Sequence, residues 1–264
     1  MPEGDTIRRA ATTLHAALAG QRVERFETVL APLARVDAGS PIVGRRVDRV
    51  EARGKHLLMW FSAAVGGEAS LVLRTHMRMH GSWHIYRPGE RWQRPRHELR
   101  ILIATASYVA VAFTVPVAEF LDAATLEREG VVAELGPDVL APHFDAREAV
   151  ARLTARGEME IADALLDQRA IAGIGNIWKS ESLFVARVSP FASVATLSDD
   201  QLMRIVTTAA RHMRASLTGD RPSWVYGRGG QPCRRCGTPI RRAVQGPDRR
   251  STYWCERCQA GPRS

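Results

Sequence analysis

Two adjacent residues at the start of the chain have groups suited to covalent chemistry. Pro2 follows Met1, whose removal would expose the proline as a free secondary amine. Such an amine can attack an electrophilic carbon and form an iminium, the Schiff-base form of covalent catalysis. Glu3 comes next and offers a carboxyl group for proton transfer. A second-position proline is also common where methionine is simply trimmed, so this pair is a hypothesis that the rest of the chain must support.

The cysteines form the strongest spacing signal. They fall in two Cys-x-x-Cys pairs with 18 residues between the pairs: Cys233, Cys236, Cys255 and Cys258. This spacing is typical of a four-cysteine zinc site, and a reducing cytosol disfavours the alternative of two disulfides. Four protein ligands leave no open coordination position, so we expect one structural Zn2+ and no catalytic one. The segment between the pairs predicts a basic hairpin with a Gly-Pro-Asp turn.

The charge indicates a polyanionic partner. The 264 residues carry a formal net charge of +9, and the last 44 hold ten arginines against two acidic residues. Arginine matches phosphate oxygens through paired hydrogen bonds, so nucleic acid is the expected partner. Among the 37 basic residues, only Lys55 and Lys179 are lysines, and this scarcity singles both of them out.

The elements that must position these residues change in kind along the chain. Seven short stretches between about 22 and 120 read as strands and predict a β-sandwich. Helical spacing before them, behind the N-cap candidates Asp5 and Thr6, predicts a flanking helix. From Ala146 the spacing is helical, with a capping box at Ser198. The expected fold is α+β, with a sandwich at 1–124, a linker at 125–145, a helical domain at 146–222 and a zinc finger at 223–264.

A two-glycine turn lies within the helical part. Residues 170–178 read Ala-Ile-Ala-Gly-Ile-Gly-Asn-Ile-Trp, and the asparagine opens the next helix. Backbone N–H groups at such a helix start can hold a phosphate. A turn of this kind also serves simply to separate two helices, so its function stays open at this point.

Four motifs in this order resemble the formamidopyrimidine-DNA glycosylase/endonuclease VIII family. They are Pro-Glu-Gly at the start, Gly-Lys-His-Leu-Leu at 54–58, Gly-Ile-Gly-Asn-Ile at 173–177 and the four-cysteine finger. The resemblance implies an N-terminal β-sandwich, a helix-two-turns-helix domain and a zinc finger. It also implies a bifunctional enzyme of base excision repair, a DNA glycosylase and AP lyase, whose partner is damaged DNA.

The resemblance implies a role for each matching residue. Pro2 would attack C1′ of the damaged nucleotide's sugar, and Glu3 would act as acid and base during base release and ring opening. Lys55 would contact phosphate and assist β-elimination, while Asn176 would grip the same phosphate region. Arg250, at the finger tip, would contact phosphate and aid δ-elimination, with the adjacent Arg249 as its rival for that role.

The segment 76–81 resembles the loop that fills the gap left by an extruded nucleotide. Met79 is the candidate wedge, with Arg78 and His80 beside it and His76 in reach of phosphate. The alternative is that Met77 and Met79 are both core residues of a strand.

One departure from the family bears on the substrate. The formamidopyrimidine branch carries an Asp-Pro-Arg-Arg-Phe-like stretch that adds two void-filling residues, and residues 113–118 have nothing similar. This favours the endonuclease VIII branch and oxidised pyrimidines. The alternatives are an 8-oxoguanine/formamidopyrimidine glycosylase and a non-catalytic protein that binds damaged DNA. We expect a monomer in the bacterial cytoplasm, associated with the nucleoid and without a membrane span, because no apolar run approaches ~18 residues.

Overall fold

The structure, a computed structural model, describes residues 2–63, 70–219 and 223–260. Met1, and with it the expected removal of the initiator methionine, lies outside the described residues. The chain divides into two compact units. The N-terminal unit comprises Thr6–Glu134 together with Pro2, and the C-terminal unit comprises Glu3–Asp5 together with the chain from Leu135 onward.

The N-terminal unit contains two four-stranded antiparallel sheets, in the orders β1-β6-β7-β5 and β2-β3-β4-β8. Apolar side chains of both sheets are buried together with Ile7, Leu14 and Leu18 of the first helix. The predicted sandwich and flanking helix are therefore confirmed. The strands are β1 (Arg25–Thr28), β2 (Val47–Arg53), β3 (His56–Phe61), β4 (Leu71–His76), β5 (Ser82–Tyr86), β6 (Leu99–Ala104), β7 (Val109–Phe113) and β8 (Val117–Asp122).

Three helices belong wholly or mainly to this part of the chain: α1 (Gly4–Leu18), α2 (Ala31–Gly39) and α3 (Ala123–Arg128). The predicted N-cap at Asp5 or Thr6 is wrong, because α1 begins at Gly4 and Asp5 lies in its first turn. The Asp5 carboxylate instead accepts a 2.9 Å hydrogen bond from Ser216 Oγ. The sequence reading did not include α2 or β8, whose short segments have weak apolar periodicity.

The helical part of the C-terminal unit is built from α4 (Ala146–Thr154), α5 (Ile161–Ala164), α6 (Asn176–Ala186) and α7 (Asp199–Ala215) around one apolar core. The predicted capping box of α7 is confirmed, since Ser198 and Gln201 bond each other's backbone N–H reciprocally. The stretch 125–145, predicted as a linker, is shared between the two units. Within the described ranges, no helix is long and apolar enough to cross a membrane.

The predicted finger hairpin is present in the C-terminal unit. Its strands are β9 (Arg241–Gln245) and β10 (Arg250–Trp254), joined by a turn at 246–249. The finger buries only a small apolar cluster, which includes Phe184, Val225 and Ile240 beside Cys233 and Cys255. A core of this size leaves much of the finger's stability to the cysteine site.

Candidate active site and nucleic-acid interface

The carboxylate of Glu3 lies at the N-terminus of α6 and is completely buried. Its oxygens accept hydrogen bonds from three backbone N–H groups: Gly175 at 3.2 Å, Ile177 at 2.7 Å and Trp178 at 3.2 Å. These donors and the positive end of the helix dipole favour a carboxylate anion at this position. The sequence suggested a phosphate for these N–H groups, but the anion that they hold is Glu3.

The two glycines of the turn make this arrangement possible. Gly175, the N-cap of α6, has no side chain to cap the helix, and a Cβ there would lie 2.5 Å from Glu3 Cγ. Gly173 has φ +99°, which side-chain-bearing residues rarely adopt, and its carbonyl accepts the Gly4 N–H at 2.9 Å. The Gly-Ile-Gly-Asn motif therefore provides both the space and the donors for the residue that follows Pro2. Pro2 itself is partly buried and belongs to the N-terminal unit.

Asn176 begins α6 and faces the finger. Its Nδ2 donates a 2.8 Å hydrogen bond to the carbonyl of Ser251 on β10, and the residue is 4% exposed. Its Oδ1 is buried and has no hydrogen-bond partner among the described residues. The residue predicted to grip phosphate therefore joins the helix to the finger strand.

The hairpin register separates the two rival arginines. Arg250 is the first residue of β10 and pairs with Gln245, so its backbone position is set by the strand. Arg249 lies in the turn with φ +50° and is exposed. Arg250 Nη2 lies 3.4 Å from Asp248 Oδ2. Within the C-terminal unit, Glu3 and Asn176 lie at the start of α6, and Asn176 binds Ser251, the residue after Arg250.

Lys55 lies at one edge of the sandwich in the N-terminal unit. It occupies a two-residue turn with Gly54, because Arg53 and His56 face each other across β2 and β3. His56 in turn pairs with His76 across β3 and β4. We call this group the cationic edge, and it consists of Lys55, His56, Arg74, His76 and Arg78.

The two histidines of the cationic edge are held neutral. Burial, followed by repulsion from neighbouring positive groups, lowers the pKa of His56 to about 3 and that of His76 to about 4. His56 Nδ1 lies 3.0 Å from Arg74 Nη1, so a neutral imidazole can accept from this guanidinium, whose Nε donates to Glu119 at 2.6 Å. The sequence reading missed His56 and Arg74, although His56 stands within the Gly-Lys-His motif.

The loop after β4 separates its two methionines. Met77 is 3% exposed in the sandwich core, whereas Met79 is 52% exposed. The alternative in which both are core residues therefore fails for Met79. Arg78 takes φ +49°, and its N–H donates to His76 Nδ1 at 3.0 Å. This tight turn presents Arg78, Met79 and His80 to solvent together.

The four cysteine sulfurs fit a zinc ion. They all lie within 4.8 Å of one another, with Cys233 and Cys258 4.0 Å apart and Cys236 and Cys255 3.4 Å apart. A tetrahedral Zn2+ with Zn–S bonds of about 2.3 Å needs sulfur separations of about 3.8 Å. Thiolates are the ligand set of structural zinc sites, so these residues would hold one ion that shapes the finger.

Comparison with known protein families divides the chain into three matched regions. Residues 1–116 match the formamidopyrimidine-DNA glycosylase N-terminal domain, and residues 135–224 match the helix-two-turns-helix domain of the same enzymes. Residues 230–261 match the zinc finger found in these glycosylases and in isoleucyl-tRNA synthetases. The zinc-finger match supports one structural zinc at the four-cysteine cluster.

Curated relatives resemble the chain over nearly its whole length. A probable endonuclease 8 2 of Streptomyces coelicolor is 41% identical, over 99% of this chain and 95% of the relative. A protein of Mycolicibacterium smegmatis named DNA-(apurinic or apyrimidinic site) lyase Nei2 is 39% identical, over 98% of this chain and 99% of its own.

Solved structures show the same fold. A MutM structure in complex with DNA containing carbocyclic 8-oxo-G superimposes with a TM-score of 0.85 at 19% identity, over 98% of this chain and 100% of that chain. A Lactococcus lactis Fpg bound to abasic-site DNA gives 0.83 at 19% identity with the same coverage. With relatives above 30% identity across the whole length, the chain belongs to the formamidopyrimidine-DNA glycosylase/endonuclease 8 family, a family of DNA glycosylases and AP lyases.

Proposed function

We propose that this protein is a bifunctional DNA glycosylase/AP lyase that removes oxidised bases, chiefly pyrimidines, and cleaves the strand by β,δ-elimination. The observation that carries the proposal is the Glu3 carboxylate, buried and held by three N–H groups of α6 directly after Pro2. A carboxylate fixed beside a proline amine is the arrangement that Schiff-base chemistry with proton transfer requires.

The proposed chemistry starts when Pro2 is freed at the N-terminus. Its nitrogen attacks C1′ of the damaged nucleotide, the bond to the base breaks, and the base leaves with the bonding electron pair and a proton. Glu3 handles protons during base release and opening of the sugar ring. The resulting iminium makes the C2′ proton acidic, and its loss expels the 3′ phosphate. The new double bond is conjugated with the iminium and makes the C4′ proton acidic, and loss of that proton expels the 5′ phosphate.

The proposal assigns phosphate contacts to Lys55, Arg250 and Asn176. Lys55 at the cationic edge stabilises charge that develops on a departing phosphate. Arg250 contributes a guanidinium on the finger side, where Asn176 also lies. Since His76 is neutral at physiological pH, it would act through a neutral hydrogen bond. Arg78 and His80 flank Met79, and its 52% exposure supports a role as the wedge that enters the duplex.

The preference for pyrimidines rests on the connection between β7 and β8. β7 ends at Phe113 and β8 begins at Val117, so only three residues join the strands. A connection of this length has little room for the two additional void-filling residues of the formamidopyrimidine branch. The endonuclease 8 names of the relatives support the same assignment.

The test is borohydride trapping of the purified protein on duplexes that contain an abasic site, thymine glycol, dihydrouracil or 8-oxoguanine. We expect a covalent complex on the abasic and pyrimidine substrates, and none with Pro2→Gly. A preparation that retains Met1 serves as the matched control, because it should bind DNA and form no adduct. Preference for 8-oxoguanine would favour the purine-specific alternative, and binding without trapping on every substrate would favour a non-catalytic protein.

A further inference from the structure

Lys179 is a buried base with no part in the proposed chemistry. It lies in the first turn of α6 and is completely buried, although lysine side chains rarely are. Its Nζ donates a 2.8 Å hydrogen bond to Thr252 Oγ1 on the finger strand β10. A buried ammonium is costly, and a methionine of similar length would fill the same space without that cost. Packing alone therefore does not explain why a lysine ammonium occupies this position.

A directed chain of hydrogen bonds begins at Lys179. Thr252 Oγ1 donates to Gln245 Oε1 at 2.7 Å, and Gln245 Nε2 donates to Glu160 Oε2 at 2.7 Å. The chain runs from a cation through a hydroxyl and an amide to a carboxylate, so each link joins one donor to one acceptor. It joins α6, β10, β9 and the N-cap residue of α5, and we call it the α6–finger chain.

A second contact runs beside this chain. Asn176, three residues before Lys179 and on the same helical face, holds the carbonyl of Ser251. One turn of α6 thereby holds two consecutive residues of β10, Ser251 and Thr252, and Arg250 immediately precedes them. The same turn carries the N–H groups that hold Glu3.

Of the three charged groups around Lys179, Glu3 and Arg250 belong to the candidate site. Burial lowers its pKa to about 8, attraction to Asp163 and Glu3 opposes that fall, and repulsion from Arg250 adds to it. The ammonium thus remains mostly protonated at neutral pH. Asp163 also lies against the finger turn, because a Cβ on Gly246 would lie 2.7 Å from its Oδ2.

We propose that Lys179 is a positioning residue, which through Thr252 sets where Arg250 of the finger lies relative to Glu3 and Asn176 at the start of α6. The proposal rests on the proposed function for its effect on strand cleavage. It does not require Lys179 to touch DNA. Its direct consequence is that the hydroxyl of Thr252 and the ammonium of Lys179 act as one unit.

The test compares Lys179→Met, Thr252→Val and the double variant on an abasic-site duplex, with the zinc-loaded protein. Each single change is expected to lower the ratio of δ- to β-elimination product about tenfold, with no further loss in the double variant. Thr252→Ser, which restores the hydroxyl, should stay within about twofold of the wild type. The matched control is Ser182→Ala, which removes a buried hydroxyl from the same helix outside the chain.

Two further measurements separate positioning from stability and from the proposed function. Lys179→Met leaves Asp163 and Glu3 without the ammonium that attracts them, so its unfolding temperature at pH 7 should fall, whereas Thr252→Val keeps that charge and should fall less. A product-ratio loss of the same size in both variants then separates positioning from stability. Amide hydrogen exchange in β9 and β10 should quicken about tenfold in Lys179→Met and Thr252→Val, with α7 unchanged.

Outcomes that overturn the proposal are clear. The proposal is wrong if Lys179→Met leaves both the product ratio and the amide exchange of β9 and β10 unchanged. It is also wrong if Lys179→Met lowers the product ratio and Thr252→Val does not. If Lys179→Met does not fold, the Thr252→Val and Thr252→Ser pair decides. If the wild type cleaves no substrate, the proposed function fails, and hydrogen exchange still decides the positioning role.

Discussion

The cationic edge of the sandwich and the first turn of α6 differ in how their charged groups are arranged. At the cationic edge, positive groups lie side by side and two imidazoles stay neutral. Around the first turn of α6, acids and bases are joined by directed hydrogen bonds. His56 is buried and His76 half-buried near Lys55, Arg74 and Arg78, whose positive charges help to lower the pKa of both imidazoles. Around α6, Glu3 has three N–H donors and Lys179 a hydroxyl acceptor.

The difference shows two ways to prepare a surface for a polyanion. The cationic edge rests on a large apolar core, and its two imidazoles are neutral, which limits the repulsion among the neighbouring cations. The α6 region instead fixes individual groups, and its finger has little apolar core to hold them if one bond is lost. Substitutions should therefore act locally at the cationic edge and spread through the network at α6.

The largest expected effect comes from Glu3→Gln. Loss of the carboxylate should lower the rate of base excision about 10^3-fold, because proton transfer is lost while DNA contacts remain. Single-turnover excision kinetics measure this. Glu181→Gln is the matched control, since Glu181 is also a buried α6 carboxylate with three backbone donors, at 224–226. Equal losses of excision in the two variants would mean that Glu3 acts only as a cap.

Removal of the zinc should have the second-largest effect. Chelation, or Cys236→Ser, should raise the Kd for abasic-site DNA about 100-fold, because the finger loses the ligand set that holds it together. Fluorescence anisotropy measures the affinity, and the unfolding transition of the sandwich should stay unchanged. Added zinc should restore binding to the chelated wild type but not to the variant. Full affinity for DNA without zinc would mean that the finger, like the sandwich, keeps its structure without a metal.

The pH dependence of stability should separate the cationic edge from the rest. Burial holds the folded-state pKa of His56 near 3, below its ordinary value of 6.5. Between these two pH values the imidazole is therefore protonated in the unfolded chain and neutral in the folded protein. Stability is therefore present above pH 6.5 and lost as the pH falls from there towards 3. Between pH 7 and 5 this amounts to about 2 kcal/mol.

His56→Gln should abolish the part of the stability loss between pH 7 and pH 5 that His56 causes. The glutamine side chain still offers an oxygen acceptor to Arg74. Urea unfolding at pH 7 and pH 5 measures the change, and His97→Gln, at an exposed position, is the control. If His56→Gln and the wild type lose the same free energy on acidification, the neutral-imidazole account of the cationic edge is wrong.

The smallest expected effect distinguishes the two finger arginines. Arg250→Ala should shift products from δ- towards β-elimination about tenfold, because Arg250 precedes Ser251, which Asn176 binds, and its charge acts on Lys179. Arg249→Ala, in the exposed turn, should weaken DNA binding slightly without changing the product ratio. Gel analysis of both products decides, and equal shifts would argue that the finger supplies only general positive charge.

Much of the architecture could be predicted from local patterns. The cysteine spacing predicted the finger, alternation predicted seven strands, and Ser198 with Gln201 predicted the start of α7. These features depend on residues close together in the chain. The start of α1 was not predicted correctly, because Asp5 bonds Ser216, which lies 211 residues away, instead of capping the helix. The helix α2 was not predicted because its short segment has weak apolar periodicity.

The sequence by itself determined the chemical inventory: a proline and a glutamate at the start, four thiols in zinc spacing, two lysines among many arginines, and a two-glycine turn before Asn176. Only the tertiary structure decided what those groups contact. In the folded protein, N–H groups at the start of α6 donate to Glu3, and the side chains of Asn176 and Lys179 bond to β10. Met77 is buried and Met79 is exposed. The physical reason is that hydrogen bonds and burial depend on neighbours in space, and the deciding neighbours here are distant in the chain.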